Sequence, residues 1–204
     1  MHLDNVHGFD CDDDDKGDEK KDNGGAFMQK LLESRTIIAS KGVDDELARN
    51  VIAQLFVLEQ DDETKPITVI VNSPGGSADS GFAIHDAMKF VKCPVRSIVM
   101  GMAASAGVMI ALGADKGQRF ITPNSRFMLH QPSIRTMGQA SDLEIVSTEI
   151  NRIKLQYNQI VSDCTGKSVE EVEKDVSRDF WLPAQASLDY GLVDKVITER
   201  GELD

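Results

Sequence analysis

VRSIVMGMAASAGVMIAL, residues Val95 to Leu112, decides the fold. Val95 to Met100 reads as a buried strand, and Ser105 to Leu112 as a short apolar helix. Between them lie only small or flexible residues, Gly101 to Ala104, so the chain can turn from strand into helix within a few ångströms. The same order stands upstream. Ile67 to Asn72 is a short, β-branched apolar run of the kind found in buried parallel strands. Ser73-Pro74-Gly75-Gly76 then breaks the chain, and Ser77 to Val91 reads as a helix. Strand-helix-strand units in series give a right-handed parallel α/β arrangement.

Working outward, Arg35 to Ser40 reads as a further strand and Asp44 to Glu59 as a helix with three acids at its start. Leu47, Val51, Leu55 and Leu58 recur at helical spacing on that helix. Downstream, Arg126 to Leu129 reads as a strand. Ser141 to Asp163 is the longest helical pattern, with Val146, Ile150, Ile153, Tyr157 and Ile160 stepping by 4, 3, 4 and 3. Gly166 can stop it, and Ser168 with Glu171 forms a capping box for the next helix. There is no internal repeat.

Composition narrows the classes. Hydrophobic residues are 41% of the 204 but aromatics only 5%, so the core must be aliphatic. No run approaches the roughly 20 apolar residues of a membrane helix, and no basic start followed by an apolar stretch marks a secretory signal. Three cysteines without motif spacing argue against a disulfide framework and for a reducing compartment. Net charge is −12, half of it in the first 25 residues, so nucleic acid is not an expected partner. Residues 1 to 25 read as a mobile acidic tail, and 26 to 204 as a single domain. The tail's acids are consecutive and lack the alternating spacing and glycine turn of a calcium loop, so no metal is expected.

Three segments carry chemistry. In Ile70 to Gly76 a buried strand meets a glycine pair, which lets the backbone turn sharply and leaves N–H groups open to a ligand oxygen. In Met100 to Gly107 a serine opens a helix directly after a strand, as at a nucleophile elbow, although Ala103 stands where G-x-S-x-G has its first glycine. Ser105 could equally be a helix N-cap. In Met128 to Pro132 a strand ends in His130, at the edge where α/β proteins place ligands. His2 and His7 lie in the tail, and His85 lies inside an amphipathic helix. A serine needs a base to attack at neutral pH, and the resulting imidazolium needs a carboxylate. Spacing alone does not choose that carboxylate from 34 acids.

These segments closely resemble ClpP, the caseinolytic peptidase subunit. The resemblance rests on Asn72-Ser73-Pro74-Gly75-Gly76, Gly101-Met102-Ala103-Ala104-Ser105 and Met128-Leu129-His130-Gln131-Pro132. It continues through Gly138 to Ile145, Thr165-Gly166, Glu173 to Asp175 and Tyr190 to Asp194, covering roughly residues 27 to 197. It implies a crotonase-like α/β fold of stacked βαβ units with a protruding handle helix, here residues 141 to 163. It implies a serine endopeptidase with Ser105 as nucleophile, His130 as base, Asp179 as the third triad member and the backbone N–H groups of Gly76 and Ala106 as oxyanion hole. No cofactor is implied. The implied assembly is two stacked heptameric rings, a tetradecamer, of this chain alone or with a paralogous subunit. The implied partners are an AAA+ Clp ATPase and unfolded protein substrates, with no nucleic acid or membrane, in the cytoplasm.

The sequence departs from the family pattern at three places. Ala106 replaces the methionine usual after the nucleophile, Ser177 stands where an acid usually precedes Arg178, and the acidic tail replaces the N-terminal pore segment. They motivate a second reading, a ring subunit that is silent unless mixed with a paralogue. A third class, a crotonase-type acyl-CoA enzyme, shares the fold and the oxyanion logic without needing Ser105, His130 and Asp179 together.

Overall fold

The structure is a computed structural model and describes residues 23–203. The acidic tail therefore lies almost wholly outside the described residues. At its boundary the expectation needs one correction: a helix, α1 (Asn23–Glu33), begins two residues before position 25 and packs against the first strand.

Five parallel strands form the spine of the sheet in the order β1 (Thr36–Ala39), β2 (Ile67–Ser73), β3 (Val95–Ala104), β4 (Arg119–Ile121) and β7 (Lys195–Val196). Two more strands hang off β3. Strand β5 (Arg126–Leu129) pairs parallel with its last residues, and β6 (Phe180–Pro183) pairs antiparallel with β5. The ten residues of β3 serve two neighbours because the strand is kinked. Val71 pairs with Val99 but Ser73 pairs with Ala103, so β3 carries two extra residues there. Gly101 sits in that bulge at φ 104°, where a Cβ would come within 2.6 Å of the Asn72 side chain. The first half of β3 runs beside β4, and the second half is redirected toward β5.

Between the strands run α2 (Asp45–Asp61), α3 (Ala78–Phe90), α4 (Ala106–Leu112), α5 (Ala140–Thr165), α6 (Val169–Asp175) and α7 (Ala184–Tyr190), with a 3₁₀ turn at Arg200–Leu203. The caps follow the sequence. The Asp44 carboxylate accepts from Leu47 N, Ser77 accepts from Ser80 N, Ser168 and Glu171 form both bonds of a capping box, and Gly166 closes α5 in the left-handed region.

Helices α2, α3 and α4 pack in sequence, and every residue of α4 is buried. The core between them and the sheet is aliphatic, built from side chains such as Leu55, Val69, Ile84, Met109 and Leu112, with Phe127 the largest fully buried side chain. Here β2 differs from the strand expected from its sequence. Ile67, Val69 and Val71 are buried while Thr68, Ile70 and Asn72 are not, so one face is covered and the other open. The second face has only a small cap, in which Ile98, Phe120 and Ile197 cluster with Leu203. Arg119 and Asp194 join β4 to the segment before β7 through a paired contact, Nη2 to Oδ1 at 2.8 Å and Nε to Oδ2 at 3.2 Å.

Candidate active site

Two tight turns meet at the carboxyl ends of β2 and β3. After β2, the Ser73 hydroxyl donates to Lys41 O at 2.6 Å and accepts from Gly75 N at 3.2 Å. Gly75 has φ 91°, and a Cβ on it would stand 2.6 Å from Ser105 Cβ and from Ala104 O. Only glycine allows the two turns to approach so closely. Gly76 makes a one-residue parallel bridge with Val43: Val43 N donates to Gly75 O at 2.9 Å, and Ser77 N donates to Val43 O at 2.8 Å. The bonds of that bridge belong to the residues flanking Gly76, so its own N–H is not used in it, and Gly76 lines the cleft.

Ser105 follows β3 at φ 53° and ψ −121°, a conformation that non-glycine residues avoid. Its amide donates to Met128 O at 2.9 Å, which ties the turn to β5. Ser105 occupies the N-cap position of α4 without serving as a cap. The Ser105 side chain makes no capping bond to α4; its Oγ lies 2.9 Å from His130 Nε2. Ala106 is the first residue of α4, so its N–H has no acceptor within the helix.

His130 stands one residue beyond β5 and Asp179 one residue before β6. In the antiparallel ladder Leu129 pairs with Phe180, so the next residues outward, His130 and Asp179, face each other across its end. His130 Nδ1 is 3.5 Å from Asp179 Oδ1. That is longer than a formed N–H···O bond of about 2.9 Å. The pair is anchored on one side by Gln131, whose N donates to Val176 O at 3.0 Å and whose Nε2 donates to Ser177 O at 3.2 Å. The Asp179 side chain is 64% exposed, against 27% for His130. All five expected residues thus converge on one place: Ser105, His130, Gly76 and Ala106 line a single cleft of about 550 Å³, and Asp179 stands behind the imidazole.

The rest of the cleft was not legible. Phe82 of α3, Met109 of α4 and the α5 residues Val146, Ile150, Ile153 and Tyr157 form its apolar walls. The α5 stripe was readable as periodicity, but its direction was not; it faces the candidate nucleophile rather than only a core. His85 is accounted for structurally. It is buried on α3 with Nδ1 3.0 Å from Met109 O, and burial pulls its pKa below the ordinary value. Among the described residues no three His, Cys, Asp or Glu side chains converge as a metal cage requires, and no helix is long and apolar enough to cross a membrane. Cys93 and Cys164 are free thiols.

The Clp protease family model matches residues 19–200. The chain belongs to the Clp protease family. It is therefore a peptidase by family. It is 44% identical over 177 residues to ATP-dependent Clp protease proteolytic subunit 2 of Treponema pallidum, covering 87% of this chain and 89% of that one. To the protein of the same name from Treponema denticola it is 40% identical over 184 residues, covering 90% and 92%. Among solved structures it resembles a ClpP1 variant from Listeria monocytogenes with a TM-score of 0.81 and 39% identity, over 87% of this chain and 99% of that one. The ClpP fold expected from the sequence is the fold observed.

Proposed function

We propose that this chain is the proteolytic subunit of an ATP-dependent Clp protease, a serine endopeptidase with Ser105, His130 and Asp179 as its triad. The observation that carries the reading is the 2.9 Å contact between His130 Nε2 and Ser105 Oγ, at a strained turn in the one cleft that also holds the N–H groups of Gly76 and Ala106. Ser105 Oγ attacks the scissile carbonyl while His130 Nε2 takes its proton. The carbonyl oxygen becomes an oxyanion and receives hydrogen bonds from Gly76 N–H and Ala106 N–H. The His130 imidazolium, opposed by the Asp179 carboxylate, returns the proton to the leaving amine as the C–N bond breaks. Water then attacks the acyl-serine ester by the same route, releasing the acid and restoring Ser105.

The relatives named as proteolytic subunits support the same reading, and they do not favour a catalytically silent ring subunit. With it come a single protease domain behind an acidic tail, a double heptameric ring, an AAA+ Clp ATPase, unfolded polypeptide substrates and a cytoplasmic location. The test is intact mass after treatment with a fluorophosphonate, on the parent chain and on Ser105→Ala. One adduct on the parent and none on the variant is expected. No adduct on either overturns the assignment of Ser105 as an activated nucleophile.

A further inference from the structure

Among the described residues only His130 meets the Asp179 carboxylate, at 3.5 Å. A triad carboxylate fixes the tautomer and orientation of its histidine. With no other donor to hold it, Asp179 owes its place to the backbone that carries it. That backbone is the turn from Val176 to Arg178, between α6 and β6. Both ends of the turn are held by one residue. Tyr190, the last residue of α7, donates its hydroxyl to Asp175 Oδ2 at 2.8 Å. Its ring meets that of Phe180 edge to face, with 5.4 Å between centroids. Asp175 is the residue before the turn, and Phe180 the residue after Asp179. Gln131 holds the middle from the His130 side, through Val176 O and Ser177 O. An acid at Asp175 does not serve α6, because it stands in the last turn, where the helix dipole disfavours negative charge. The bond to Tyr190 accounts for it. Burial and the Asp175 carboxylate raise the phenol's pKa above its ordinary value, so the hydroxyl keeps its proton and donates. Tyr190 is itself braced. Lys167 Nζ lies 4.7 Å over its ring, and the next residue, Gly191 at φ 92°, lies so close to the end of α5 that a Cβ would stand 3.2 Å from Thr165.

We propose that Tyr190 is a positioning residue: by bonding Asp175 and packing on Phe180 it holds the turn that presents the Asp179 carboxylate to His130. The inference rests on the peptidase reading above. Neither Tyr190 nor Asp175 lines the cleft, so neither meets the substrate. Loss of the bond is therefore felt in turnover and not in substrate binding. Tyr190→Phe keeps the ring against Phe180 and deletes the hydroxyl. The turn is then held at one end only, and the carboxylate drifts from the imidazole. A displacement of about 1 Å can cost about 10²-fold in rate, so kcat is expected to fall roughly 10- to 100-fold with KM little changed.

The test uses the full chain, a fluorogenic peptide, and the rate of fluorophosphonate labelling at Ser105 as a second readout. Tyr190→Phe and Asp175→Ala are each made alone, together, and in an Asp179→Asn background. Alone, both are expected to lower kcat and labelling by a similar factor. Together they are expected to do no more than either, because they cut one bond. In the Asp179→Asn background the carboxylate is already gone, and each is expected to change kcat by less than about twofold. A loss of the same factor in both backgrounds, as general weakening of the fold or of an assembly would give, overturns the proposal. So does a loss that falls on KM alone. Asp175→Ala carries the test where Tyr190→Phe does not fold. A parent that labels at Ser105 while the variants match it within about twofold overturns this inference alone. A parent that neither labels nor cleaves removes the peptidase reading and this inference with it.

Discussion

His85 and His130 are the two histidines of the described residues, and the fold uses them in opposite ways. His85 is packed between α3 and α4, 8% exposed, with Nδ1 on the carbonyl of Met109. His130 stands at a strand end with Nδ1 toward the Asp179 carboxylate and Nε2 on the Ser105 hydroxyl. A peptide carbonyl only accepts, so at 3.0 Å it places the His85 proton on Nδ1. His130 Nδ1 faces a carboxylate, which also only accepts, at 3.5 Å, and the difference between the two lies in the partner that an added charge would meet. A carboxylate stabilises an imidazolium with a full charge, whereas a peptide carbonyl offers only a dipole and burial opposes the charge. One histidine is a packing element whose charging is opposed by burial, and the other stands at the cleft between a hydroxyl and a carboxylate.

Asp179→Asn breaks that contrast most directly. The amide would keep the shape but could donate to Nδ1 and so favour the wrong tautomer of His130, leaving Nε2 unable to take the serine proton. Turnover is expected to fall by about 10³- to 10⁴-fold. The exposure of Asp179 predicts that circular dichroism and thermal midpoint stay close to those of the parent. Near-normal peptide hydrolysis would remove Asp179 from the triad.

Gly76→Ala sharpens the contrast on the backbone side. A Cβ at Gly76 would collide with Val43 O, and its φ of 152° is already a glycine conformation. The turn must shift, and the Gly76 N–H proposed as an oxyanion donor shifts with it. Losing one oxyanion donor costs about 10²- to 10³-fold in kcat. The His130–Ser105 pair lies outside this turn, so fluorophosphonate labelling should slow while hydrolysis drops. Unaltered kcat would mean that the Gly76 amide does not meet the oxyanion.

How far the sequence could be read follows from where each group sits. Strands β2 and β3 and helices α3 and α4 were legible because long apolar runs are punctuated by glycine and serine. Ser105 and His130 were legible as chemistry because each lies at such a punctuation point. Asp179 was not, and it came only from the family resemblance. It faces His130 through the register of β5 with β6, and β6 is four residues ending in Pro183, too short to show a period. Strands β4 and β7, of three and two residues, were missed for the same reason. Helix α1 and helix α7 carry no cap signal comparable to Asp44, Ser77 or Ser168. The open face of β2 was missed because it depends on which elements cross over that face of the sheet, a property of topology rather than of the strand.

The buried histidine gives the smallest effect, visible in stability rather than rate. Burial holds the His85 pKa below its ordinary 6.5, with Lys89 pushing the same way, while the Met109 carbonyl and Asp86 act against them. Between the folded and unfolded pKa values the unfolded chain binds a proton that the folded chain does not. Acid therefore favours unfolding over that window. The contribution is fully present above about pH 6.5 and is lost as pH falls toward the folded value, with a slope of at most about 1.4 kcal/mol per pH unit. Carboxylates titrate over part of the same range, so the parent alone cannot isolate this group. His85→Asn places an amide nitrogen where Nδ1 stood and so can still donate to Met109 O, but has nothing to titrate. Urea unfolding of both proteins at pH 7.5 and 5.5 should show the parent losing more stability than the variant. Equal losses would mean that His85 takes up its proton as readily in the fold as in the unfolded chain, and the contrast with His130 would then rest on the partner of Nε2 alone.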